Sequence, residues 1–160
     1  MISVRPVRLL SNTLRSAVAL LAACAALAGC GSRSTAPVPE PSPTGSAAAS
    51  CAAVMSALPK RIAGLDRSAE TANTASWGDP AITLRCGVPR PQGLTSTSRC
   101  DEVDAVGWYT EEFTEARRFT TIGRVGYIEV TVPAVHSPAA DALVDLAPAV
   151  GKMASVTPCQ

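Results

Sequence analysis

The sequence has little of what enzymes and nucleic-acid binders usually carry. It holds one histidine, His136, and no G-x-x-x-x-G-K-[ST], G-x-G-x-x-G, H-E-x-x-H or G-x-S-x-G pattern. Those absences remove the phosphate-cradling loop, the dinucleotide fingerprint, the helical zinc site and the strained serine turn. No two cysteines have C-x-x-C spacing, the close pairing that structural zinc sites generally use, so no metal and no cofactor is implied. No run of like charge is long enough for an interaction tail. No apolar run reaches the roughly 20 residues that a membrane-spanning helix needs.

What is present begins with an export pattern. Arg5, Arg8 and Arg15 precede an apolar run from Ala17 to Leu27, and no acidic residue occurs among the first 29. A basic start, a short apolar stretch and a small-residue exit describe a secretory signal. Its exit, Leu27-Ala28-Gly29-Cys30, resembles the bacterial lipobox, in which the cysteine is acylated and becomes the new N-terminus. A plain secretory signal with an incidental Cys30 is the competing reading. Residues 31–49 are rich in Pro, Ser and Ala, with too little apolar surface to offset ordering entropy. The chain therefore divides into a lipoprotein signal peptide (1–29), a lipidated cysteine with a disordered tether (30–49) and a single globular domain (50–160) of 111 residues. The expected place is the outer face of the cell membrane. The membrane, reached through the N-terminal lipid, and an envelope protein are the expected partners. Without residues 1–29 the chain keeps 11 basic against 13 acidic residues, a charge near −2. Nucleic acid, which needs a concentrated Lys/Arg patch, is not an expected partner.

Cys24 lies inside the signal and Cys30 at its exit, which leaves Cys51, Cys86, Cys100 and Cys159 in the domain. An even number in a small exported domain reads as disulfides, and four cysteines permit three connectivities. Closing the Pro/Gly/Ser/Thr-rich stretch between Cys86 and Cys100, with Cys51–Cys159 tying the termini, is the expected pairing. Cys51–Cys86 with Cys100–Cys159 competes with it, because Cys86 shares an inward face with the residues on which the first helix should pack.

Secondary structure follows from periodicity. Ser50 is a plausible N-cap for a helix with Cys51, Val54, Met55 and Leu58 on one side. Residues 66–76 are polar and small and read as a loop. Gly78-Asp79-Pro80 is turn chemistry, after which Ile82, Leu84, Cys86 and Val88 alternate with Thr83, Arg85 and Gly87 as a strand. Further strands are expected at Val103–Thr110, Arg117–Ile122 and Tyr127–Val132. Ser137-Pro138 opens a last helix, with Ala139, Leu143, Leu146, Val150 and Met153 as its apolar seam and Pro148 as a kink or split. The predicted fold is α+β: a small antiparallel sheet of about four strands, N- and C-terminal helices packed on one face, and disulfide staples.

The stretch W-G-D-P-A-I-T-L-R-C-G-V-P-R-P from Trp77, the V-G-W at Trp108, T-T-I-G-R before the last strand and E-V-T-V-P ending it resemble a family of exported actinobacterial proteins. That family is catalogued as domain-of-unknown-function family 3515. The resemblance spans Cys51 to Ala154 and implies an envelope protein, often with a lipoprotein signal. It implies no activity and supplies no catalytic residues.

Candidates for chemistry are few. Asp101, Glu102 and Asp104 form one acidic cluster, and Glu111, Glu112 and Glu115 a second. Glycosidase-type chemistry needs two carboxyls facing across a cleft, whereas acids in a polar context read as a solvated edge. No catalytic residue is assigned. Arg85, with Trp77 and Asp79 near it in sequence, could form a ligand shelf, since guanidinium stacks on rings and binds anions bidentately. The plainer alternative is an Arg85–Asp79 ion pair with Trp77 in the core. The sequence thus favours a non-enzymatic, membrane-anchored binding or accessory module. A cell-envelope hydrolase using an acidic cluster or His136 is the alternative.

Overall fold

The computed structural model describes residues 38–157 and Cys159. The expected signal peptide and Cys30 lie outside the described residues. Helix α1 (Gly45–Ser56) is followed by β1 (Arg61–Ile62), β2 (Leu65–Glu70), β3 (Thr74–Trp77), β4 (Ile82–Cys86), β5 (Asp101–Val103), β6 (Val106–Glu112), β7 (Ala116–Ile122) and β8 (Ile128–Pro133). Helix α2 (Ala140–Val150) closes the order.

The strands form a single antiparallel sheet in the order β1-β2-β3-β4-β8-β7-β6-β5. It is two four-stranded meanders laid side by side, the second running inward from the far edge until β8 pairs with β4. The α+β class stands, but the expected four strands become eight. Two features account for most of the difference. The polar stretch expected to be a loop forms β2, whose outer residues are mostly exposed, and β3, whose small residues are all buried. The expected strand Val103–Thr110 is a hairpin, because Asp104 and Ala105 both take positive φ (47° and 61°) and turn β5 back along β6. Two consecutive left-handed residues are what the tightest hairpin turns require.

Alternation sets the two faces. Leu84, Val130 and Phe119 share one inward row, and Trp108 and Thr121 pair beside it. This face meets Cys51, Val54 and Met55 of α1 and Leu143, Leu146 and Val150 of α2 in one hydrophobic core. Trp77 and Trp108 are both fully buried, and Phe119 stands edge-on to Trp108 at 6.5 Å. The predicted seam from Ala139 to Met153 is buried throughout, although the helix itself stops at Val150. Pro148 lies inside α2 without splitting it. Only two residues of helix follow it, so the proline removes one donor near an end that frays anyway. The N-cap is Ala139, already helical (φ −63°, ψ −21°), rather than Ser137, and Asp141 lies in the first turn.

The first helix also begins earlier than expected, with Thr44 as N-cap instead of Ser50. Ala47-Ala48-Ala49 extends it upstream, as alanine's helix propensity favours. Of the span expected to be a tether, residues 45–49 belong to α1 and the stretch just before them is docked on the domain. Glu40 Oε1 accepts hydrogen bonds from the Asn73 amide and the Thr71 hydroxyl, both at 2.9 Å. Pro41 is buried, and Arg85 Nε donates to the Pro39 carbonyl at 2.9 Å.

The disulfides are Cys51–Cys86 and Cys100–Cys159, with Cα atoms 5.6 and 5.7 Å apart. The expected pairing, Cys86–Cys100 with Cys51–Cys159, is therefore corrected. Its rival prevails because Cys86 points inward from β4 onto α1, which carries Cys51, while Cys100 leads into β5 at the far edge.

Candidate functional site

The connection from β4 to β5 must pass β8, β7 and β6 to reach the far edge of the sheet. It starts with a reversal at Gly87, whose φ of +85° suits glycine; a side chain there would also strike Pro43. The Gly87 and Val88 amides both donate to the Tyr127 carbonyl. Val88 consequently leaves the inward face to which its alternation assigned it; it is buried, but outside the main core cluster and beside Arg85 and Glu129. Further along, Gly93 lies so close to the Tyr109 hydroxyl that any side chain would strike it. The connection thus crosses the sheet face opposite the helices.

Beneath it runs a row of charge. Glu129 stands opposite Arg85 on β4 and Thr120 on β7, and Tyr109 follows on β6. One register step away, Arg118 stands opposite Glu111. Arg85 Nη1 donates to Glu129 Oε1 at 3.1 Å, with both side chains largely covered. Arg118 Nε is 3.5 Å from Glu129 Oε2, and Arg118 Nη1 is 3.9 Å from Glu111 Oε2. Neither Arg118 contact is a hydrogen bond at such lengths. Its Nε is buried with no hydrogen-bond partner among the described residues. The guanidinium is placed by charge and by the Phe113 ring, whose centroid is 4.9 Å from it. Arg85, Glu111, Arg118 and Glu129 line a pocket of about 300 Å³, walled by Val88, Pro89 and Pro91–Gly93 of the crossing connection. That volume is at the lower end of the range that small-molecule sites occupy, about 300–1,000 Å³. Two guanidiniums alternate with two carboxylates, so the lining is neutral overall while each charge remains local. A ligand with a carboxylate, or with a carboxylate and an amine, matches that alternation.

The proposed shelf of Arg85, Trp77 and Asp79 is not assembled. Arg85 belongs to the outer row. Trp77 pairs with Ile82 on the inward side, donates through Nε1 to the Pro59 carbonyl at 3.2 Å, and lies under the guanidinium of Arg67. Asp79 is exposed in the turn after β3. The alternative Arg85–Asp79 ion pair is also absent among the described residues, since Glu129 takes that role. Arg118 was legible only as a strand residue; its significance depends on the register that sets it beside Glu129 and Glu111.

His136 lines a separate pocket of about 210 Å³ at the end of the sheet, together with Glu112, Arg117 and Ser137. Its Nε2 is 2.7 Å from the Pro80 carbonyl, and Glu112 forms an ion pair with Arg117 at 3.4 Å. The acidic clusters do not face each other across a cleft. Asp101, Glu102 and Asp104 sit on the edge hairpin, Glu111 and Glu112 alternate between faces, and Glu115 is exposed in the β6–β7 turn. Among the described residues no group of three or more His, Cys, Asp or Glu side chains is placed to hold a metal ion, and no helix is long and apolar enough to cross a membrane.

The chain belongs to the family of proteins of unknown function designated DUF3515, which matches residues 13–158. No curated protein and no solved structure matches it.

Proposed function

We propose that the protein is an exported, lipid-anchored envelope protein whose domain binds a small carboxylate-bearing ligand in the outer-face pocket. The anchor reading rests on the signal-like N-terminus and on Leu27-Ala28-Gly29-Cys30. The observation that carries the ligand reading is Arg118. Its part-exposed guanidinium lines a concave site and makes only long contacts, at 3.5 and 3.9 Å, to Glu129 and Glu111. A guanidinium in that state is suited to a bidentate carboxylate. Arg85, committed to Glu129 and Pro39, holds the floor of the site in place. Glu111, part-exposed beside Arg118, offers an acceptor for an amine on the same ligand.

The test is an NMR titration of the mature protein with a panel of free amino acids and dipeptides, following the Arg118 Nε–Hε signal. At least one member should shift that signal saturably in the wild type and fail to perturb the domain in Arg118→Gln. A panel that leaves the signal unmoved would remove the ligand reading. Crosslinking and pull-down from intact envelope tests separately for a protein partner.

A further inference from the structure

The two disulfides sit in unlike surroundings. Cys51 and Cys86 are both 0% exposed within the core. Cys100 and Cys159 are part-exposed, and both line a surface pocket of about 360 Å³ bordered by Leu94, Ser98 and Ile122. Their sulfurs are backed by Gly107, where an added Cβ would come within 2.9 Å of Cys100 Sγ and 2.8 Å of Cys159 Sγ. The backbone of β6 closes one side of the bridge, and the pocket opens the other.

We propose that Cys100–Cys159 is a site of thiol–disulfide exchange, open to a dithiol reductant through this pocket, and that Cys51–Cys86 is a permanent crosslink. Accessible bridges are the labile ones, because exchange requires a thiolate to reach a disulfide sulfur. One thiolate of the reductant attacks a sulfur of the pair, forms a mixed disulfide and expels the other cysteine as thiolate. The second thiol of the reductant then displaces the remaining cysteine. One protein disulfide is reduced to two cysteines, the dithiol is oxidised to its own disulfide, and the two thiol protons end on the cysteines.

The effect of opening is local. The C-terminal segment stays paired without the bridge: Val156 N donates to Gly123 O at 2.7 Å, Val125 N to Ala154 O at 3.0 Å, and Arg124 Nη1 to Met153 O at 2.8 Å. What loses a clamp is the connection over residues 87–99, held at its start by Cys51–Cys86 and tied at its finish, just before β5, to the C-terminal segment by Cys100–Cys159. Part of that connection walls the outer-face pocket. Reduction should therefore also loosen the ligand site, a consequence that rests on the function proposed above.

The experiment uses folded, mature protein exposed to rising dithiothreitol or, in a parallel arm, to reduced thioredoxin. Free thiols are trapped with N-ethylmaleimide and located by peptide mass mapping. Cys100 and Cys159 should be labelled together at a reductant level on the order of tenfold or more below that needed for Cys51 and Cys86. Amide hydrogen exchange should rise across residues 87–99 while α2 stays protected. Reaction in both arms marks the bridge as reachable by a protein dithiol, and reaction with dithiothreitol alone restricts the reductant to small dithiols. Both bridges opening together, Cys51–Cys86 opening first, or neither opening short of unfolding would each overturn the proposal. No ligand enters this assay, so its outcome is independent of whether the outer-face pocket binds one.

Discussion

Arg85 and Glu129 face each other on neighbouring strands, Nη1 to Oε1 at 3.1 Å, and they tie the two meanders of the sheet together at their seam. The same carboxylate lies between Arg85 and Arg118. Glu129→Gln keeps the shape and removes the charge, leaving two guanidiniums side by side on a largely covered surface. Losing a charged hydrogen-bond partner of this kind should cost about 1–3 kcal/mol in chemical denaturation. An unchanged midpoint would mean that the two meanders do not depend on this pair.

Arg118→Gln should behave differently. Its contacts are long and its side chain is 39% exposed, so solvent screening leaves little stability to lose, within about 0.5 kcal/mol. Ligand response in the titration described above should nevertheless disappear. A large stability loss would recast Arg118 as a structural residue.

Trp108→Ala removes a fully buried ring that packs edge-on to Phe119. The expected cost is about 3–5 kcal/mol, a large part of the roughly 5–15 kcal/mol that holds such a domain together. A melt close to that of the wild type would contradict the burial.

Gly107→Ala should act on the crosslink rather than on the strand. Its methyl group would sit where both sulfurs now pack, so Cys100 and Cys159 should be recovered as free thiols while Cys51–Cys86 stays closed. The expected loss is that of a disulfide, about 2–5 kcal/mol. Full occupancy of both bridges in the variant would show that the backbone can yield there.

Cys30→Ala should release the protein from the membrane fraction, as the lipobox-like exit requires. Failure of labelled palmitate to enter the wild-type protein would remove the anchor from the proposed function.

Those parts of the fold that bury strongly apolar residues at a fixed period were legible in the sequence. Ile82-Thr83-Leu84-Arg85-Cys86 and Ile128-Glu129-Val130-Thr131-Val132 alternate between buried and part-exposed as their composition demands. Strand β3 was not legible, because Thr74, Ala75 and Ser76 are small or polar yet buried, and their burial comes from neighbours rather than from their own hydrophobicity. The hairpin at Asp104-Ala105 lacked the glycine that normally announces two left-handed residues. The pocket depends on contacts between β4, β6, β7 and β8 and on a connection that crosses them, none of which local spacing encodes. Arg85 could be singled out in the sequence. Its partner, 44 residues away, could not.

Cysteine connectivity also bears on how the chain is made. Cys51 pairs with the next cysteine of the domain, and Cys100 with the one after it, so the two rings are consecutive and share no residue. For a chain exported N-terminus first, as proposed, Cys51 and Cys86 emerge together before Cys100 appears. An oxidase acting on the emerging polypeptide in simple order of arrival would install both native bonds, with no isomerase needed to correct them. The nested alternative, Cys51–Cys159 around Cys86–Cys100, would have kept Cys51 waiting as a free thiol until the last residues were across.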